Sequence, residues 1–334
     1  MTNDFTICMG TVGAGIWLSS DCGEHWSKAR VELPHFWELG DIRVYAMAVS
    51  PHEAHRVLAG SELGLHVSED NGRTWKSMPF PIEGRQIWSI AFDPMDRDII
   101  FVGAKPAAVF RSVDGGRTWE RLRVAFPERC PIPIGPPRVT ALMVDPVDHR
   151  SVWAGAEVGG VFHSVDGGDS WQAIPPFGGS ESSLDIHGSA ISVGRQKKIM
   201  ITTPDGIWSS VDEGRNWSMH GFKFPNQEQS AYTRAVAVKP GDPETIFVGN
   251  GNVVFGDSGL VQRSRDGGQT WQNIPLPVPP NSAVYGFATN PANPNVVVAN
   301  TFYGYIYLSE DGGDSWRKLP RELTEIRSQA LLPN

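Results

Sequence analysis

One short motif recurs along the whole chain and settles most of what it can fold into. It is Ser-x-Asp-x-Gly-x-x-Trp, as in Ser112-Val113-Asp114-Gly115-Gly116-Arg117-Thr118-Trp119. Its seven copies place the aspartate at Asp21, Asp70, Asp114, Asp166, Asp212, Asp266 and Asp311, at intervals of 44 to 54 residues. A fixed element at such a period marks a repeat architecture, in which each copy is one supersecondary unit.

The stretches between copies share one grammar. In residues 86–123, four runs rich in Val, Ile, Phe and Trp are punctuated by Asp-Pro, Gly and the motif itself. That is the pattern of four short antiparallel strands, here called A to D, with the motif in the C–D turn. The copies at the two ends are incomplete. Phe5–Met9, Gly15–Ser19 and His25–Ala29 read as strands B, C and D, and a lone A strand follows residue 325. Pairing the two fragments closes a ring and removes the exposed sheet edges. The expected fold is therefore an all-β, seven-bladed β-propeller forming one domain. Its blades fall near 1–30 plus 323–334, 43–80, 86–123, 138–175, 185–222, 231–275 and 282–320.

The motif carries its own turn chemistry. Ser and Asp accept hydrogen bonds from turn N–H groups, Gly supplies positive φ, and Trp packs as a large apolar anchor. It is identified as the Asp-box, or BNR repeat, and the resemblance covers the whole chain. Sialidases, xyloglucanases, sortilin-type receptors and photosystem II assembly propellers carry it. In those families the boxes lie on the face away from the active site. The resemblance thus implies a structural role for all seven aspartates and leaves function open, because fold does not fix chemistry.

Bulk properties exclude several classes. The net charge of −8 with no basic run gives no nucleic-acid footprint. No apolar run is long enough for a bilayer-spanning helix, and no signal-peptide pattern stands at the N-terminus. Cys8, Cys22 and Cys130, an odd set without CxxC, suit a reducing compartment, so a cytoplasmic location is expected. HExxH, P-loop and clustered-histidine patterns are missing, and no cofactor is expected. Glu62, Glu157, Asn250 and Asp205 are the oxygen donors that would suit Ca²⁺ if a metal were used.

Aligning the A strands locates the position where the repeats stop agreeing. An outer column reads Arg43, Gln86, Arg138, Asp185, Tyr232, Ala283, Glu325, and an inner one Tyr45, Trp88, Thr140, His187, Arg234, Tyr285, Arg327. Variation confined to one channel mouth is what a site grafted on a uniform scaffold produces. Arg43, Arg138, Arg234 and Arg327 could hold a carboxylate or phosphate, unless Asp185 and Glu325 consume them as ion pairs. His187 beside Asp185 could act as acid or base, or serve as a hydrogen-bonded structural histidine. Tyr45 and Tyr285 are secondary proton-donor candidates. Trp88 and Tyr232 would wall a flat substrate, with Lys105, Glu157 and Glu325 added from the rim. A long insertion at 251–258 and the loops around His35-Phe36-Trp37, Pro131-Ile132-Pro133-Ile134 and Phe177-Gly178-Gly179-Ser180 complete the mouth.

The leading expectation is an acid–base hydrolase or lyase, lactonase-like, acting on a small anionic molecule. Two alternatives stand beside it. One is a non-catalytic scaffold holding a protein partner. The other is a glycan-binding or glycan-cleaving module built on Trp88, Trp37 and rim acids. The family patterns are matched only in part: the Phe-Arg-Ile-Pro motif of sialidases is missing, and xyloglucanase clefts use two tandem propellers. The photosystem assembly propellers carry an arginine patch but are exported to the thylakoid lumen.

Overall fold

The computed structural model describes residues 4–32, 41–81, 86–130, 135–179, 181–224 and 230–334. His35-Phe36-Trp37, Pro131-Ile132-Pro133-Ile134 and Ser180 lie outside the described residues. Within these residues the chain is all β, save one short 3-10 helix, Glu181–Leu184.

Seven antiparallel sheets form the blades of a propeller. In blade I, strand A is Ile326–Pro333, and strands B to D are Phe5–Thr11, Ile16–Ser19 and Ser27–Lys28. Ile7 faces Leu331 across the closing pair, so the ring is sealed by backbone hydrogen bonds between the two ends of the chain. The A strands of blades II to VII are Val44–Val49, Gln86–Phe92, Arg138–Val144, Gly188–Val193, Tyr232–Lys239 and Val284–Thr289. Each A strand packs on the next one round the ring, which places all seven around the central channel.

Blade II departs from four strands. Arg30–Val31 adds a fifth, parallel to Thr74–Ser77. The link from blade I thereby satisfies an outer edge, with Arg30 N–H on Arg73 O at 3.0 Å and Glu32 N–H on Trp75 O at 2.9 Å. Two residues carry no periodicity, so this strand was not readable in the sequence.

The apolar core is divided into wedges between neighbouring blades. Leu58 and Leu65 of blade II, for example, pack with Ile87, Ile100, Val102 and Phe110 of blade III. Close approach is set by a small residue in strand B. A Cβ on Gly103 would collide with Ser89 Oγ and with Val139 of the following blade, and Gly10, Gly60, Gly155 and Gly249 are equally confined. In two blades a polar side chain takes the place of this glycine and bonds across the gap. Thr202 Oγ1 donates to Arg234 O at 3.0 Å, and Asn300 Nδ2 donates to Ile326 O at 3.3 Å.

The boxes hold their own turns. Asp114 Oδ1 accepts Ser112 Oγ (2.8 Å) and Thr118 N–H (2.9 Å), and its Oδ2 accepts Thr118 Oγ1 (2.6 Å). Gly116, at φ 92°, leaves room for Met78 of the preceding blade, and Trp119 Nε1 donates to Gly116 O at 3.2 Å. Thr118, Ser170, Asn216 and Thr270, through side chain and backbone, lower Asp114, Asp166, Asp212 and Asp266 to about 2. Gly115 N–H bonds Asp98 O in the A–B turn, so boxes and A–B turns share one face. The A-strand starts and B–C loops occupy the other.

Strand A carries a recurrent irregularity. Register slips between Val44 and Ala46, between Val139 and Ala141, between Thr233 and Ala235, and between Val284 and Gly286. The slips opposite Gly103/Ala104 and Gly10/Thr11 do the same at Trp88 and Arg327. The extra residue is each time the inner-column residue: Tyr45, Trp88, Thr140, Arg234, Tyr285 and Arg327. A β-bulge bends the strand and re-aims the unpaired side chain. Here the aim is into the channel, and the scaffold repeats it while the residue type changes.

Candidate functional site

Two cavities meet at the level of those bulges. The inner one, about 310 Å³, is lined by the inner column and by the layer beneath it, including Met47, Ile90 and Phe287. The outer one, about 700 Å³, opens between the B–C loops and takes in Arg138, Glu157, Asp185, Tyr232 and Phe255. His187, Arg234, Tyr285 and Arg327 line both and therefore form the waist between them.

Rings and guanidiniums interleave around this waist. Tyr45 stacks on Trp88 at 4.2 Å and 8°, and the Arg138 guanidinium sits 4.1 Å from the Trp88 centroid. These partners come from the blades on either side of Trp88, so both faces of the indole are covered. Arg234 lies 4.3 Å over Tyr285. Arg327 reaches across the channel to within 5.5 Å of both Trp88 and Tyr285, and its Nη1 donates to Tyr285 Oη at 3.0 Å. Guanidinium–ring contacts of this kind stabilise the cation without neutralising it.

The carboxylates are distributed differently from the sequence expectation. Glu157, not Asp185, neutralises Arg138, because the two face each other across the A–B hairpin. The same carboxylate lies 4.0 Å from Arg234 Nη1. Burial alone would raise Glu157, but Arg234 and Arg138 outweigh it and hold the carboxyl below its ordinary range. Glu325 pairs with Arg327 as foreseen. Two guanidiniums thus share one carboxylate on the cavity floor. Lys105 stands near them, its ammonium pulled down by burial and by the Arg138 charge.

His187 is buried. Its Nδ1 is 2.7 Å from Thr233 O, a carbonyl that can only accept, so Nδ1 carries a proton. Its Nε2 faces Tyr232 Oη and Asp185 Oδ2, both at 3.4 Å. Asp185 Oδ1 is buried without a hydrogen-bond partner. Burial pushes the Tyr232 phenol up. Donor atoms of Glu157, Asp185 and His187 lie within 4.8 Å of one another. A cation held there would sit against the Arg138 and Arg234 guanidiniums, so the donor set reads better as an ion-pair network than as a metal site. The oxygen donors considered for Ca²⁺ are dispersed. Glu62 accepts Arg43 N–H at 2.7 Å, Asn250 Nδ2 donates to Thr233 Oγ1 at 2.8 Å, and Asp205 bonds Ser182.

Arg43 lines neither cavity. The bulge at Tyr45 interrupts the two-residue alternation, and the Arg43 charge lies beside the Tyr45 phenol instead. Burial first and the Glu62 charge second raise that phenol. The insertion expected at the mouth contributes its turn Val253-Val254-Phe255, and Phe302 is a mouth residue that sequence reasoning missed. An apolar run inside an insertion at the rim was the signal for the turn.

Comparison with known proteins adds relatives of two kinds. The family model for the photosynthesis system II assembly factor YCF48 matches residues 18–175, and that for the BNR/Asp-box repeat matches residues 262–273. A probable oligoxyloglucan-reducing end-specific xyloglucanase of Neosartorya fischeri is 24% identical over 69% of the chain and 33% of its own length. The Photosystem II assembly lipoprotein Ycf48 of a Synechococcus strain is 25% identical over 67% of the chain and 73% of its own length. Among solved structures, the GH74 xyloglucanase from Xanthomonas campestris has TM-score 0.71 at 18% identity, covering 94% of this chain and 52% of that one. YCF48 bound to D1 peptide has TM-score 0.51 at 16% identity, covering 82% and 81%. The chain spans about a third or less of the curated xyloglucanases it matches. Both kinds correspond to the two alternatives, a glycan module and a protein-binding propeller, rather than to a small-molecule lyase.

Proposed function

Because the chain belongs to the Asp-box (BNR) repeat β-propellers, and charged and aromatic side chains gather at its channel mouth, we propose that it is a binding propeller. Its outer cavity holds a carboxylate-bearing peptide segment of a protein partner. The observation that carries this is the cavity floor, where Arg138 and Arg234 share the carboxylate of Glu157 while Asp185 turns to His187. A second carboxylate from a ligand would complete the pairing, and guanidinium forks bind carboxylates bidentately. The volume of about 700 Å³ suits a short segment of chain. A relative solved with a bound peptide, and the match to an assembly-factor model, support the same reading. The test is fluorescence polarisation with labelled octapeptides of Gly and Ser ending in a free carboxylate, against the same peptides amidated. The acids should bind at least tenfold more tightly, and Arg138→Gln should abolish the difference. Equal binding of acids and amides would sink the proposal.

A glycan-cleaving reading has one observation in its favour, the proximity of Glu157 and Asp185. Glycosidases need one such carboxyl protonated. Glu157 is held ionised, and Asp185 faces the imidazole Nε2. Trp88, with both faces covered, offers no platform for a sugar ring. Release of reducing sugar from xyloglucan by the purified chain would reinstate it.

A further inference from the structure

The outer cavity is lopsided. Its floor sets the guanidiniums of Arg138 and Arg234 around Glu157, while one wall is the turn Val253-Val254-Phe255 backed by Phe302. Among the described residues, the other strongly exposed large apolar side chains stand singly in the sequence. Here three are consecutive, at 51%, 45% and 66% exposure. The turn is fixed from within. Asn252 Nδ2 donates to Asp257 Oδ1 (3.0 Å), Asn252 N–H to Ser258 O (3.1 Å) and Gly256 N–H to Val253 O (3.2 Å). A Cβ on Gly256 would strike the Asn252 amide, so the residue at the tip has to be small. Apolar side chains held exposed by a hydrogen-bonded turn need little ordering when they bind, which favours affinity.

The rings also run continuously from the cations to this turn. Arg234 lies 4.3 Å over Tyr285, Tyr285 is 5.1 Å from Phe302, and Phe302 is 5.7 Å from Phe255. A carboxylate on Arg234 and an apolar group on the turn would thus be three ring contacts apart. We propose that the 253–255 turn is an apolar clasp that selects partner segments bearing a large apolar side chain close to their carboxylate. At roughly 3.3 Å per residue of extended chain, that side chain falls within about four residues of the carboxylate. The inference rests on the peptide-binding reading of the mouth and specifies which peptides it takes. The occupant is a peptide rather than a free small acid, because a single acid seated on the arginines would leave the clasp exposed to water.

The experiment uses the same octapeptides with one Leu at each of the last four positions, as acids and as amides, on the wild-type chain and on Phe255→Ser. A thermal melt checks that the variant is folded. Leu should raise the affinity of the acids for the wild-type chain about tenfold at its best position, the gain from burying one apolar side chain. Phe255→Ser should cut that gain to twofold or less and keep the acid-over-amide ratio. A Leu gain that survives Phe255→Ser, or no Leu gain in a chain that prefers acids, overturns the clasp and leaves the carboxylate reading standing. A Leu gain lost in Phe255→Ser without any acid preference keeps the clasp and removes the carboxylate. Absence of binding to every peptide removes both.

Discussion

Glu157→Gln should destabilise the fold and strengthen the site, two effects of opposite sign from one atom exchange. The Glu157 side chain is 12% exposed, between Arg138 at 21% and Arg234 at 7%. Removing one partner of a buried pair costs about 3–5 kcal/mol, because the remaining charge stays buried. Gln keeps the volume and one acceptor, and the pair borders an open cavity, so about 2–3 kcal/mol is expected. At ~2.1 cal/mol/K per residue of unfolding entropy, that lowers Tm by roughly 3–4 °C for a chain of this length. A carboxylate ligand, by contrast, loses a repelling neighbour. At an effective dielectric near 20 and ~5 Å separation the repulsion is roughly 3 kcal/mol, and after relaxation about a tenfold gain in affinity should remain. The pH dependence has a definite sign. The folded-state pKa of Glu157 is lowered, so its stabilisation is complete above the ordinary carboxylate range and is lost as pH falls through the folded value. Wild type and variant should therefore converge in stability only at the acid end. Differential scanning calorimetry and acid-peptide titration measure the two effects. A variant that is no less stable and binds acids no more tightly would refute the charge assignment.

Three further outcomes follow from other parts of the fold. The aspartates of six boxes sit at about 2 when folded, well below their unfolded value, so their contribution is present at neutral pH and disappears as pH falls from about 4 to 2; circular dichroism against pH should place the main loss of structure in that window. Gly103→Ala forces a methyl against Ser89 Oγ and Val139 and should cost about 1–3 kcal/mol in urea unfolding, with the denaturant slope unchanged. Trp88→Ala removes a ring stacked between Tyr45 and Arg138 and should cost about 3–5 kcal/mol, read as a lowered denaturation midpoint.

The sequence carried the fold because the two signals that define it are local. The box makes its turn from residues within seven positions, and each strand's apolar run is bounded by its own turns. The ring closure was readable for the same reason, since Ile326–Pro333 matches the other A strands without reference to its partner. The site was legible only to the level of which residues face the channel. Inner-column positions line the inner cavity as expected, although the device that points them there is a bulge and not simple alternation. Which side chain meets which was not legible. Arg138 finds Glu157 in its own hairpin, while Arg43, just before its A strand, lies beside Tyr45 and outside both cavities. Those choices depend on where the bulge aims each side chain within its own hairpin, which no spacing encodes. Phe302 and Phe255 meet from different B–C loops, in different blades, and that contact too exists only in the assembled ring.

The way the arginines are satisfied bears on what the mouth can bind. A guanidinium consumed by its own carboxylate offers little to a ligand, and this is the state of Arg327 with Glu325. A guanidinium resting on a ring keeps its full charge, and Arg234 is of this kind, buried over Tyr285 with its nearest ion-pair carboxylate at the edge of contact. Such a cation has already lost its water and is only partly compensated by Glu157 at 4.0 Å, so an arriving anion adds to that pairing instead of replacing it. Because the rings come from neighbouring blades, closing the propeller and preparing the cation are one event. The seven boxes fix blade register on one face, and that register sets Tyr285 beneath Arg234 and Trp88 beneath Arg138 on the other. The repeat's uniform half thereby supplies the precision on which its variable half depends.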